Sequence, residues 1–199
     1  MLNKKINFKL EKSFFDKNTL DIAEELIGKV FVYESPLGII KGIINETEAY
    51  REDDQSCHAY NGRKTKKNAA MFLRSGHLYV YFTYGMYYCV NIVTGKKDVG
   101  EAVLIRSVIP IQGEDIMRKN RKWNKKQVKG LCDGPAKFCM AYGLDKKFNG
   151  YDLLDENSKI YIEDLNYNVN NIEKNQRIGI SKDKHLEWRF YCNEKDIVF

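Results

Sequence analysis

The residue types best suited to chemistry lie together at Ile44-Asn45-Glu46-Thr47-Glu48-Ala49-Tyr50. Side chains alternate faces along a strand, so Glu46, Glu48 and Tyr50 share one face. Carboxylates two residues apart on a strand are separated by about 7 Å. A pair at that distance can do acid–base work, and solvated strands also carry such pairs. Spacing alone does not rank Glu46 against Glu48. A second cluster is aromatic: Tyr79, Tyr81, Phe82, Tyr84, Tyr87 and Tyr88. Tyr79 and Tyr81 fall on one face, with Val80 and Phe82 on the other. Tyrosine offers a flat stacking surface with a polar tip. Aromatics interleaved with basic residues suit nucleobase stacking, and a sheet core with amphipathic edges gives the same pattern. Tyr84-Gly85 is more specific. A large aromatic at a hairpin tip is badly placed for a core and well placed to project into something.

Other chemistries lack their signatures. His58, His77 and His185 show no ligand spacing, so neither a metal nor another cofactor is expected. His58 follows Tyr50 in a polar loop, as a surface residue or a site residue. No serine elbow or phosphate-binding glycine loop occurs. The five cysteines are odd in number and form no Cys-x-x-Cys pair. That argues against a disulfide framework and fits a reducing compartment.

Strands must position these residues. The pattern predicts a helix over 18–28, with Gly28 at its stop. Strands are expected over 29–33 and 39–50 about a turn at 35–38, and a hairpin with arms 77–83 and 86–94. A further strand is expected over 102–109, and late strands over 177–181 and 188–192. Thr65 is a candidate cap for a short helix through Asn68 to Phe72. Gly134-Pro135 opens another helix. Strand pairs outnumber crossover helices. The expected fold is therefore α+β: one mixed domain over 1–199 with a curved, mainly antiparallel sheet, surrounding helices and a protruding β-hairpin.

The chain has 199 residues, enough for a full core. Apolar residues are 43% and charged residues 30%, which argues against wholesale disorder. No apolar run reaches membrane-spanning length, and no apolar segment follows Lys4 and Lys5 as in a secretory signal. An intracellular protein is expected, in the cytoplasm or nucleoid if bacterial, and a monomer. The net charge of +6 permits an anionic partner. Much of it sits at 112–130, in Arg118, Lys119, Arg121, Lys122, Lys125, Lys126 and Lys129, either as a phosphate contact or as a solvated face.

Taken in order, these pieces resemble the alkyladenine (3-methyladenine) DNA glycosylase family. The matching phrases begin with Glu46-Thr47-Glu48-Ala49-Tyr50, His58, Asn68 with Met71-Phe72, and Gly76. They continue through the run from Leu78 to Asn91, Ala102–Arg106, Gly134–Lys137, Asn149–Leu153 and Arg177–Ile180. The resemblance implies a DNA repair enzyme that flips damaged purines from duplex DNA and hydrolyses the N-glycosidic bond, leaving an abasic site. By motif position it assigns Glu48 as general base and Arg106 as the partner ordering the catalytic water. Tyr50 and Tyr81 would sandwich the base, and His58 would meet its edge. Asn91 would crowd guanine's exocyclic amino group, and Tyr84 would be the wedge in the stack. Ser56-Cys57 and the basic 112–130 segment depart from the family pattern. Two other classes remain on residues alone. A nucleic-acid binding module would not need the carboxylates, and a small-molecule hydrolase would not need Tyr84.

Overall fold

The computed structural model of the chain describes residues 8–198. The start of the lead-in, including Lys4 and Lys5, lies outside them. A short helix α1 (Lys12–Phe15) precedes α2 (Thr19–Glu25), whose cap is the Asn18 side chain accepting from the Leu20 N–H at 2.9 Å. Gly28, at φ +86°, turns the chain out of this helix. Strands β1 (Val30–Ser35) and β2 (Gly38–Tyr50) form a hairpin about Pro36-Leu37. A second hairpin joins β3 (Leu78–Thr83) to β4 (Tyr87–Val93), and β5 (Ala102–Gln112) follows. Helices α3 (Glu114–Asn120) and α4 (Pro135–Tyr142) come next, α4 with proline in its first turn and Gly143 in the left-handed region past its end. The chain closes with β6 (Ile160–Glu163), β7 (Asn168–Val169), β8 (Glu173–Asn175), β9 (Arg189–Tyr191) and β10 (Ile197–Val198).

The main sheet is antiparallel in the order β3-β4-β5-β2-β1-β6. Strand β2 is long enough to serve two partners along one edge. Its first half pairs with β1, and Glu46–Glu48 pair with β9, which carries β8. Register shifts between Ile44 and Glu46 and between Glu46 and Thr47 mark the change. Such irregularities bend a strand and raise its twist, and so curve the sheet. A small separate ribbon pairs β7 with β10.

Alternation divides the sheet between two layers. Val80, Val90, Val103 and Ile105 enter the main core, where α4 packs on β4 and β5. Phe31 meets Phe138 and Tyr142 edge-on there, at 5.0 and 5.4 Å between ring centres. Gly42 is required beneath that contact, because a Cβ would come within 2.7 Å of the Tyr142 hydroxyl. The other face carries a smaller cluster, including Ala59, Met71, Phe72 and Tyr79, roofed by the loops between β2 and β3.

Two expected elements are corrected. Arg177–Ser181 is a loop, not a strand, because its arginine is drawn into a buried ion pair described below. Thr65 caps no helix. Its hydroxyl and N–H bond the Asn68 side chain, and a 3₁₀ turn begins only at Ala69.

Candidate active site

Period-two alternation in four neighbouring strands builds the floor of the site. Glu48 on β2 pairs with Leu104 on β5, Leu104 with Asn91 on β4, and Asn91 with Tyr79 on β3. These four therefore stand in one cross-strand row. Tyr50, Arg106, Cys89 and Tyr81 lie beside them on the same face. All eight line one cavity of about 690 Å³, within the range that takes a small ligand. Its walls come from loop residues Cys57 and His58, from Tyr84 at the hairpin tip, from Pro135 opening α4, and from residues 178–181.

Glu48 is fully buried at this floor. Its Oε1 accepts the Ile178 N–H at 2.7 Å, and its Oε2 accepts the Tyr50 hydroxyl at 2.9 Å. The Arg106 Nη1 stands 3.2 Å from Oε2. Burial pushes the Glu48 carboxyl above the usual carboxylate range, and Glu46 adds a smaller push in the same direction. Arg106, the Ile178 N–H and Tyr50 pull it back without cancelling the shift. Glu46 has a different setting. It accepts from Arg106 Nε at 3.0 Å and Arg189 Nη1 at 3.1 Å, and it is absent from the cavity lining. The geometry thus separates two carboxylates that strand spacing could not rank.

Tyr50 is fixed from behind. The Arg177 guanidinium lies 4.7 Å from its ring centre and 5.1 Å from that of Trp188. Arg177 is itself held by the Asp54 carboxylate through both terminal nitrogens, and it donates to the Ala49 carbonyl at 2.9 Å. Both charged side chains are fully buried. One face of Tyr50 is thus covered by a cation. On the far side of the cavity Tyr79 and Tyr81 stack at 5.5 Å. His58 meets Tyr81 edge-on at 4.7 Å, with its Nδ1 2.8 Å from the Tyr79 hydroxyl. Burial of the ring lowers the His58 pKa, so the neutral imidazole dominates at pH 7. Asn91 is buried and donates through Nδ2 to the Tyr79 carbonyl at 3.1 Å, which fixes its amide.

Tyr84 is 82% exposed, with φ +49°. Gly85 follows at φ +68°, and the turn closes through the Met86 N–H to the Thr83 carbonyl at 3.2 Å. Phe82 and Met86 are also exposed, so the tip of the hairpin is an apolar prow beside the cavity mouth.

All seven residues singled out from the sequence, Glu48, Tyr50, His58, Tyr81, Tyr84, Asn91 and Arg106, line this one cavity. Sequence reasoning missed Arg177, Asp54 and the Ile178 N–H. The phrase Arg177-Ile178-Gly179-Ile180 alternates as a strand does, and that pattern carries no sign of the contacts it makes. The five cysteines are buried and unbridged. Among the described residues no group of three or more His, Cys, Asp or Glu side chains is placed to hold a metal ion, and no helix is long and apolar enough to cross a membrane.

Comparison with known proteins identifies the family. The family model for methylpurine-DNA glycosylase matches residues 13–196. A protein of Francisella tularensis subsp. tularensis (strain FSC 198), named "Putative 3-methyladenine DNA glycosylase", is 45% identical over 183 residues, covering 91% of this chain and 92% of the relative. Relatives of the same name from Clostridium novyi (strain NT) and Desulfitobacterium hafniense (strain Y51) are 42% and 37% identical over 200 residues. Each of these alignments covers 96% of this chain and 98% of the relative. A match of this extent, over the strands that carry the cavity floor and the loops that wall it, makes the chain a member of the methylpurine-DNA glycosylase family.

Proposed function

We propose that the chain excises alkylated purines from duplex DNA by simple hydrolysis of the N-glycosidic bond. A base inside a duplex cannot reach a buried carboxylate, so it must be turned out at a cost of a few kcal/mol. Tyr84 enters the gap and replaces part of the lost stacking. The extruded base lies between Tyr50 and Tyr81. Only the cavity-side face of Tyr50 is available to it, since Arg177 covers the other. A cationic base such as 3-methyladenine gains cation–π attraction on these rings. His58 meets the base edge, and the fixed amide of Asn91 crowds an exocyclic amino group.

Bond cleavage leaves an oxocarbenium-like sugar. The glycosidic electron pair goes to the departing purine, which neutralises a cationic alkylpurine, so no protein acid is needed. Water adds to C1′ and gives its proton to the Glu48 carboxylate. The products are the free base and an abasic sugar bearing a hydroxyl. Arg106, shared by Glu46 and Glu48, keeps Glu48 ionised and aimed. Among the described residues no lysine lines the cavity, which favours hydrolysis over a Schiff-base route.

The observation that carries this reading is the buried Glu48 carboxylate at the floor of a tyrosine-walled cavity. The test is incubation with duplexes carrying single lesions, 3-methyladenine, 7-methylguanine, hypoxanthine and ethenoadenine. Free base is measured by chromatography, strand scission is followed with and without alkali, and borohydride is added to trap any imine. Base release with alkali-dependent scission and no trapped adduct is expected. Absence of base release, or a trapped covalent complex, overturns the reading.

A further inference from the structure

We propose that the loop after α3 is a phosphate-binding arm that grips the duplex several base pairs to one side of the lesion. The proposal takes its DNA partner from the function proposed above and assigns it a second contact surface.

Between Asp115 and Asp133 the sequence contains no acidic residue and seven basic ones. Without those seven the chain holds 26 basic against 27 acidic side chains. The whole positive balance of the protein therefore resides in this one segment. A duplex-binding protein draws its sequence-independent affinity from such a surface.

The segment is built rather than loose. Arg118 donates to the carbonyls of Lys125 and Lys126, and Arg121 to those of Gly130 and Leu131. The Trp123 ring lies against Gly130, which has no room for a Cβ, with Arg121 and Lys125 over the ring. Both arginines thus act as internal clamps. The lysines are left outward. Lys119, Lys122, Lys125, Lys126 and Lys129 are exposed, and among the described residues none has a carboxylate within ion-pair distance. Elsewhere Lys29, Lys41, Lys137 and Lys174 each have one, while the described lysines without one, such as Lys66, Lys67, Lys96, Lys97, Lys182 and Lys184, are scattered, and no other stretch gathers five of them. Unpaired lysines on a clamped scaffold are positioned for charges that the chain itself does not supply.

The loop also returns to the site. Cys132 accepts from the Val108 N–H, Asp133 bridges Ser107, which adjoins Arg106, and Pro135 lines the cavity. Lys129 precedes Pro135 by six residues, at most about 20 Å of chain. That bound keeps Lys129 within roughly six base pairs of the cavity along a duplex.

The test uses an undamaged 24-base-pair duplex, so base excision is not involved. Binding of the full chain is measured across a salt series and compared with the variant K122Q/K125Q/K126Q/K129Q. Each lost phosphate contact lowers the slope of log K against log salt by about 0.9. Three lost contacts would remove about 40-fold of the affinity change between about 50 and 200 mM salt. The matching lysine-to-arginine variant should restore the wild-type slope. An equal slope in wild type and glutamine variant overturns the arm, and is the outcome expected if the lysines serve RNA or an acidic protein. A wild type with no salt-dependent duplex binding overturns it as well. Failure of the wild type to release an alkylated base would refute the proposed function alone.

Discussion

Replacing Tyr84 by Asn should raise the stability of the free protein while weakening its grip on a lesion. Tyr84 is a bulky residue at φ +49°, a left-handed conformation that costs an ordinary L-residue roughly 1–2 kcal/mol. Its ring is 82% exposed, so burial returns little of that cost. Asn tolerates this conformation, and Asn before Gly is favoured where both central turn residues have positive φ. A gain of about 1 kcal/mol is expected, a rise in Tm of about 2–4 °C for a chain of this size. Removal of the wedge costs base–aromatic stacking of roughly 1–3 kcal/mol, so lesion-duplex affinity should fall about tenfold to a hundredfold. Binding is best measured in a Glu48→Gln background, which keeps the substrate intact. The loss should shrink when the lesion sits opposite a mismatch, where extrusion is already cheap. Equal affinity in both proteins would remove the wedge. A lowered Tm would show that the ring supports the fold and that its backbone holds no strain.

The remaining predictions concern the cavity floor. Excision needs ionised Glu48, and burial raises its pKa, so the acid limb of single-turnover excision should lie above the ordinary carboxylate range of about 4.3. Arg106→Gln should move that limb higher and destabilise the protein by about 3 kcal/mol, because it strands a buried carboxylate; an unmoved limb in a folded variant would contradict the assignment. Because the folded-state pKa of Glu48 is raised, its contribution to stability is fully present below its unfolded pKa and is lost as pH rises through the folded value. Thermal melts of wild type and Glu48→Gln should therefore diverge in favour of the variant as pH rises, and parallel melts would show that ionising Glu48 costs nothing. Asn91→Ser should raise release of guanine and 7-methylguanine relative to 3-methyladenine, by removing the amide beside Tyr79. An unchanged product ratio would leave Asn91 a structural residue.

What could be read from the sequence follows strand periodicity. Alternation alone places Glu48 with Tyr50 and Tyr79 with Tyr81, and the turn chemistry of Tyr84-Gly85 marks the hairpin tip. Local patterns also locate α2 and the proline opening α4. The failures involve distant partners. Arg177–Ser181 alternates like a strand, yet Arg177 is captured by Asp54, 123 residues away, and the backbone follows its side chain into the loop. That capture brings the Ile178 N–H to Glu48, a contact with no side-chain signature at all. Glu46 and Glu48 share a face by spacing. The register shifts on either side of Glu46 and the approach of Arg189 from β9 take Glu46 out of the cavity, and both are tertiary effects. Thr65 and Asn68 have the composition of a helix cap, but they satisfy each other.

The central claim is that Glu48, and not its strand neighbour, activates the water. Single-turnover release of 3-methyladenine by wild type, Glu48→Gln and Glu46→Gln on one duplex tests it directly. General-base catalysis is worth about 10²–10⁴-fold. Glu48→Gln should lose at least the lower end of that range while binding the lesion and melting no lower than wild type. Glu46→Gln, which loosens Arg106 but spares the carboxylate at the floor, should lose far less. Near-wild-type release by Glu48→Gln, or the larger loss in Glu46→Gln, would contradict the account.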